Sequence, residues 1–449
     1  MAALPLPAAA SGAVHDTASR VSEPTAEAAA TALLTQKKGA KRKPPSRGGR
    51  VRLAWPRDRS EKAPAYPLAR WLARQVGPDP DSREETRANA AATTPSTIDF
   101  VGGITTSKLR LIRSFDIPTT DASYARLANL SWTYDNALAA IAFLDADAKT
   151  QAEQLLDQLQ ALQRTDGSLD FAYDTSSGAG SAQIRSGALA WVGIAATYYR
   201  KTYGSTRYDP LIAGIAKYLL GLRTSAGLVK GGPDVSWVST QHNLLTVSFL
   251  RDLVPSLQSR AAASSLSLSA TTLNSAQSTM GNAIVSNLLV QSGSTAYFIE
   301  GVGDSRIPVD VQSFGLLYLK LRNDARYAQV ATYLQSAFNV APRTSTALGA
   351  TVSGVKPFNA AASPDIVWSE GTIQAKVALW RTGLSTPFIE TALVNLAGLT
   401  NSFTDAPPAA DRNINTDTSW GEWHTWPASA SASWMVMLLV GEGRQLFTR

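Results

Sequence analysis

The chain has 449 residues, 44% of them apolar and 17% charged, which is enough apolar surface for a large core, and no run approaches the roughly 18 apolar residues that span a bilayer. It contains no cysteine, which excludes a disulfide framework, a thiolate zinc site and a cysteine nucleophile. The net charge of +7 is carried wholly by residues 1–95, where 16 Lys/Arg face 9 Asp/Glu, so the remainder is neutral and offers no nucleic-acid surface.

Residues 1–95 are rich in Ala, Pro and Gly, and Lys37, Lys38, Lys41, Arg42, Lys43, Arg47, Arg50, Arg52, Arg57 and Arg59 crowd together within them. That composition buries too little apolar surface to offset chain entropy. It predicts a disordered basic extension whose candidate contact is an anionic surface. The opening MAALPLPAAASGAVHD lacks the charged start of a secretory signal. Compartment stays open on sequence, with a soluble periplasmic or secreted setting favoured over a cytoplasmic one.

Beyond residue 100 a repeating unit sets in. A polar-aromatic start runs into an Ala/Leu-rich helix, turns, and returns through a second amphipathic helix. The starts read SWTYDNALAAIAF from Ser131, SGALAWVGIAATYY from Ser186, STQHNLLTVSFL from Ser239, PVDVQSFGLLYL from Pro308, VWSEGTIQAKVALW from Val367 and SWGEWHTWPASASASWMVMLL from Ser419. In the return helices Leu155, Leu159 and Leu162 share a face, as do Leu211, Ile215, Leu219 and Leu222, and again Ile389, Leu393 and Leu396. Asp166-Gly167, Gly231-Gly232-Pro233 and Pro364-Asp365 punctuate the units as turns. Short strand-like pieces near Ser168–Tyr173 and Leu228–Val229 fit hairpins at loop edges, and Ala261–Thr279 reads as a low-complexity helix or an inserted loop. The last unit has one long apolar helix near Ser429–Val440, and the amphipathic piece Asp121–Leu130 is expected as its partner. Closure would make residues 96–449 one all-α domain, an (α/α)6 toroid with its helix starts around a central cleft.

Glutamate is scarce in this domain: Glu153 and Glu390 open return helices and Glu442 sits near the end, which leaves Glu300, Glu370 and Glu422 as informative. Glu370, in Trp368-Ser369-Glu370-Gly371-Thr372, reads either as a first-turn carboxylate favoured by the helix dipole or as a cleft acid beside an aromatic, with its pKa raised by burial. Asp135 and Asp310 stand at comparable places in their own units, so three carboxylates are expected at one level of the ring. Trp132, Tyr134, Trp237, Trp368, Trp420, Trp423 and Trp426 cluster at the starts instead of in the return stripes, an arrangement suited to stacking on sugar faces. His242 and His424 also fall at starts, too few for a zinc site by themselves. No phosphate-binding Gly-rich loop and no GxSxG elbow is present, and no cofactor is implied.

At these starts, above all SWTYDNA, GGPDVSWVSTQHN, PVDVQSFG and VWSEGT, the sequence resembles the six-hairpin glycosidase superfamily over about residues 125–440. The resemblance implies an (α/α)6 hydrolase of polysaccharides or oligosaccharides of β-glucan type. It makes Glu370 the proton donor, Asp135 or Asp310 the group that activates water with inversion, and Arg185, His242, Asn243 and Gln312, with the aromatics, the holders of sugar hydroxyls. Gln241 departs from the pattern, because related STQHN-type segments carry an acid before the His. Two alternatives stand beside this reading. One is a lyase or epimerase in which His242 and His424 move protons, and the other is a toroid that binds carbohydrate without turning it over.

Overall fold

The computed structural model of the chain describes residues 65–77, 101–103, 108–257, 264, 266–360, 363–402, 406–415, 422–441 and 443–447. The basic cluster at residues 37–59 and Trp420 lie outside the described residues. Apart from the single helical turn Tyr124–Leu127, twelve α-helices are described: α1 (Tyr66–Arg74), α2 (Thr133–Asp145), α3 (Lys149–Leu162), α4 (Ser186–Tyr203), α5 (Asp209–Gly221), α6 (Thr240–Leu253), α7 (Ala270–Asn287), α8 (Val309–Leu321), α9 (Tyr327–Ser336), α10 (Ser369–Thr382), α11 (Pro387–Ser402) and α12 (Ser429–Val436).

The helices form two concentric rings. Helices α2, α4, α6, α8, α10 and α12 each pack on the next, and α12 packs on α2, which closes the inner ring. Residue type explains this placement. In α2 every residue except Tyr134 is buried, and α8 is buried continuously from Val309 to Leu319, so apart from a few polar residues near their ends these helices are apolar or small on every side, as a helix covered all round requires. The outer helices carry one stripe instead: in α3 only Ala152, Leu155, Leu156 and Leu159 are buried. Helices α3, α5, α7, α9 and α11 each cover the inner helix that precedes them. The predicted all-α toroid is therefore what the chain forms.

The sixth outer helix differs from expectation. Asp121–Leu130 supplies only the turn Tyr124–Leu127, in which no residue is buried, and α1 packs on α12 in its place. Leu68, Ala69, Trp71 and Leu72 of α1 are 0–4% exposed and belong to the central core. These residues lie inside the stretch 1–95 that composition reads as an extension. A stripe at i, i+3 and i+4 outweighs its basic, Pro-rich surroundings because α12 otherwise has no outer cover.

All six inner helices begin at one level, and one device sets it. The first residue of each donates its backbone N–H to a carbonyl in the segment leading to the next inner helix. The bonds run Thr133 to Phe171, Ser186 to Gly231, Thr240 to Glu300, Val309 to Pro357, Ser369 to Ala409 and Ser429 to Ser114, at 2.8–3.2 Å. The last bond returns to the segment before α2, so the six form a closed circuit. Each also satisfies an N–H that a helix cannot bond internally. Four of these first residues add a hydroxyl bond to the carbonyl one residue earlier: Thr133 to Asp170, Ser186 to Lys230, Thr240 to Ile299 and Ser429 to Arg113.

Short antiparallel strands finish the loops at this end. Strands β1 (Val101–Gly103), β2 (Leu130–Trp132), β3 (Ala172–Asp174) and β4 (Ala179–Gly180) form one sheet in the order β1-β4-β3-β2, and β2 runs directly into α2. Hairpins β5–β6 (Leu289–Ser292, Thr295–Phe298) and β7–β8 (Asn339–Ser345, Ala350–Val355) lead toward α8 and α10, and β9 (Ile414–Asn415) pairs with β10 (Glu422–Trp423) before α12. The expected strand pieces reduce to β3 and to an isolated bridge between Val229 and Arg223. No described helix is long and apolar enough to cross a membrane.

Candidate active site

Because the first helical residues are tied down, the second residue of each inner helix comes to the mouth of the ring. These residues are Tyr134, Gly187, Gln241, Asp310, Glu370 and Ala430. Tyr134 on α2 donates its hydroxyl to Glu370 Oε1 on α10, and Trp434 on the intervening α12 donates its indole N–H to the Tyr134 oxygen at 3.2 Å. Gln374, one turn below Glu370, donates to the same Oε1 at 2.8 Å. On the other side of the mouth Gln241 donates to Asp310 Oδ2 at 2.6 Å. Beneath this level Tyr134, Trp191, Phe314 and Trp434 form an aromatic floor with ring centroids 5.7–6.2 Å apart.

The apolar floor sets the electrostatics. Burial pushes the Glu370 carboxyl up to about 8; the Asp135 charge adds to the rise, while bonds from Tyr134, Trp434 and Gln374 oppose it. Burial lifts Asp310 to about 7, reinforced by Glu370 and resisted by first-turn backbone amides and Gln241. Glu300, in the loop before α8, is raised to about 7 by burial and by the neighbouring Asp310 charge. The bonds to Glu370 from Tyr134 and Gln374 both fall on Oε1.

Asp135 does not share the position of the other two carboxylates. It is the third residue of α2, 2% exposed, bonded to Ser114 and pushed up to about 7 by burial. Asn243 and Gln312, expected to hold sugar hydroxyls, are 0% exposed and fully engaged. The Asn243 amide bonds Val229 N, Val229 O and Ser239 O, and that of Gln312 bonds Phe298 N, Phe298 O and Pro308 O, all at 2.7–3.0 Å. Each clamps the incoming strand to the start of its own helix. Asn136 does the same for Ile112 and Trp132, so the residue four positions after the cap is a recurrent structural clamp. That spacing is visible in the sequence and marks these amides as architectural.

The remaining expected residues fall into separate groups. Arg185, Trp237 and His242 lie together, with Arg185 over the Trp237 ring at 5.9 Å and the His242 ring 5.4 Å from it. Ser186 gives its only hydroxyl hydrogen to Lys230 O, so at 2.9 Å it accepts one from His242 Nδ1, which leaves His242 Nε2 as an acceptor. Burial, and then the Arg185 charge, lower His242 to about 4, so it stays neutral. Trp132 stacks on Phe171 at 6.0 Å, and Trp368 meets the buried Trp423 edge-on at 5.7 Å. Trp426 is 3% exposed, bonded to Asp121 and stacked 3.5 Å from His424, whose Nε2 lies 3.2 Å from Glu422. Glu422 also pairs with Arg126 at 2.8 Å; burial acts to raise its carboxyl, but the His424 and Arg126 bonds outweigh that and hold it below its usual value. The two histidines therefore belong to different networks. Gln241 and Glu300, both singled out in the sequence without a role in the chemistry, stand at the mouth beside Asp310, whereas Gln374 and Trp434, which bond Glu370 and Tyr134, carry no motif that marks them out.

No protein-family model and no curated protein matches the chain. Solved structures do resemble it. A wild-type glycosidase superposes with a TM-score of 0.52 at 13% identity over 87% of this chain and 99% of the other. A family 76 glycoside hydrolase from a bovine Bacteroides thetaiotaomicron strain gives 0.53 at 11% identity over 85% of this chain and 78% of that one. A bacterial glucoamylase complexed with acarbose gives 0.51 at 14% identity, with 71% of this chain aligned to 50% of that one. Likeness at such identities speaks for architecture: the chain has the (α/α)6 toroid seen in these glycosidases.

Proposed function

We propose that the chain is a glycoside hydrolase acting on an oligosaccharide or polysaccharide, with Glu370 as proton donor and Asp310 as the base that activates water. The observation that carries this reading is that Glu370 and Asp310 occupy the same second position on neighbouring inner helices, above an apolar floor. Burial keeps Glu370 protonated at neutral pH, as a donor to a leaving oxygen requires, while Asp310 titrates near neutrality and Gln241 aims its amide at the ionised form. Adjacent packed helices run roughly 8–10 Å apart. That spacing favours the separation of about 6.5–9.5 Å that leaves room for water and inverts the anomeric centre, over the about 5–5.5 Å of retention. Asp135 supports the acid from below by its charge.

The proton-abstraction alternative draws less support, because His242 is held near 4 and is a weak base, and His424 is stacked and paired elsewhere. The test is reducing-end release from α- and β-linked glucans, β-glucans first, by the wild type, Glu370→Gln and Asp310→Asn. Turnover that falls by several orders of magnitude in both variants, with the inverted anomer formed first by proton NMR, is expected. Glycan binding without turnover by the wild type would identify a binding toroid, and an unsaturated product would identify a lyase.

A further inference from the structure

Among the described residues only Tyr203, Trp237 and Val302 are large, apolar and exposed, and two of the three are neighbours at the mouth. Trp237 is 43% and Val302 55% exposed, and the Val302 N–H bonds the carbonyl of Val238, the residue after the tryptophan. Exposed apolar side chains beside one another at a cleft mark a contact surface.

The Trp237 ring is seated. A Cβ placed on Gly231 would lie 2.0, 2.1 and 2.4 Å from Cζ3, Cη2 and Cε3, three consecutive ring carbons at nearly equal distance. Only an approach over the ring face gives that pattern, so Gly231 backs one face and no side chain fits beneath it. The loop is closed by backbone bonds: Gly231 N bonds Trp237 O at 2.9 Å, Gly232 bridges Val235, and Gly231 O accepts from Ser186 N on α4. Polar groups stand at the rim, where Arg185 bonds Asp234 at 2.8 Å with its guanidinium carbon 5.9 Å from the indole centroid, and His242 offers its Nε2. A flat, backed, open indole with charged and polar groups at its edge matches a pyranose, which is apolar on its faces and polar round its rim.

Its position gives it a specific task. Trp237 stands against α4 and α6, while Glu370 is on α10, directly opposite α4 in the six-membered ring. A single sugar at Glu370 does not reach across the mouth, whereas a chain of several units does.

We infer that Trp237, backed by Gly231 and rimmed by Arg185, is an outlying sugar-stacking subsite that makes the site selective for longer glycan chains over short ones. This rests on the glycosidase reading of the mouth. The indole stacks a sugar unit distant from the cleavage point, and its binding energy appears only for substrates long enough to reach it.

The experiment measures binding of a short and a long oligosaccharide of the same glucan to the full-length Glu370→Gln protein, alone and combined with Trp237→Ala or Gly231→Ala, by calorimetry. Expected is a loss of affinity about tenfold greater for the long chain than for the short one in both combined variants, the effect of one aromatic contact. The change in indole emission that the Glu370→Gln parent shows and its Trp237→Ala combination lacks should also appear with the long ligand and not with the short. Equal losses at both lengths, or none, would overturn the subsite alone. Absence of binding by any glycan would overturn the glycosidase reading and the subsite together, and self-association abolished by Trp237→Ala would reassign the patch to a second copy of the chain.

Discussion

The phenol of Tyr134 on α2 bonds Glu370 on α10, and Trp434 on α12 bonds that phenol, so three inner helices meet on one carboxyl group. This bond makes the titration of the acid depend on a residue far from it in sequence.

Removing the phenol takes away a donor that favours the ionised form of Glu370, so its pKa rises beyond about 8 in Tyr134→Phe. A general acid is lost as pH climbs through its pKa. The alkaline limb of kcat/KM against pH should therefore move upward, with kcat down about tenfold for the lost bond. A limb that stays in place would disconnect the phenol from the acid.

Stability should fall as pH rises from 6.5 to 8. Glu370, Asp135, Asp310 and Glu300 hold protons more tightly folded than unfolded, so their contribution is complete below about pH 4 and is lost as pH climbs through about 7 to 8. His242, held near 4, acts in the opposite sense below pH 6.5, which leaves the higher window clean. In that window the melting temperature of Glu370→Gln should decline less steeply than that of the wild type, with a gain at pH 8 of roughly 2 °C per kcal/mol recovered. Parallel curves would mean that Glu370 titrates normally.

Asn243→Ala and Gln312→Ala strip partners from buried backbone groups of Val229 and Phe298. Each should cost about 1–3 kcal/mol in urea unfolding and leave the KM of the surviving folded enzyme unchanged. A raised KM with unchanged stability would return these amides to the binding site.

Trp71 is 3% exposed against the core although it lies in a basic, Pro-rich stretch. Trp71→Ala should destabilise the whole toroid by about 3–5 kcal/mol in denaturant. Deleting the residues before 60 should not have this effect. An unaffected midpoint in Trp71→Ala would detach α1 from the ring.

These particulars show what could be read from sequence and what could not. The six helix starts were legible because a polar-aromatic segment recurs before each apolar run; the structure adds that the first residue of each helix is a staple, a hydroxyl residue at Thr133, Ser186, Thr240, Ser369 and Ser429, and Val309 alone is not. The same staple blurred the chemistry, because much of the polar pattern at each start ties backbone to backbone, and Asn243 and Gln312 belong to that frame. Only the next residue faces the mouth, which separates Glu370 and Asp310 from Asp135, one position further along. Helix α1 was hidden by its composition, and its partner α12 is more than 350 residues away in the chain. Gln241, Glu300 and Gln374 gain their surroundings only when the ring closes, and periodicity within one hairpin carries no trace of that.

The central claim, that Glu370 donates the proton, is tested most directly by comparing Glu370→Gln with the wild type on two glycosides of the same sugar. One carries a sugar leaving group and the other a nitrophenolate, which departs without protonation. The account predicts a loss of several orders of magnitude on the first and a far smaller loss on the second, while Asp310→Asn loses activity on both. Equal losses of Glu370→Gln on the two substrates would contradict it and take the role of acid away from Glu370.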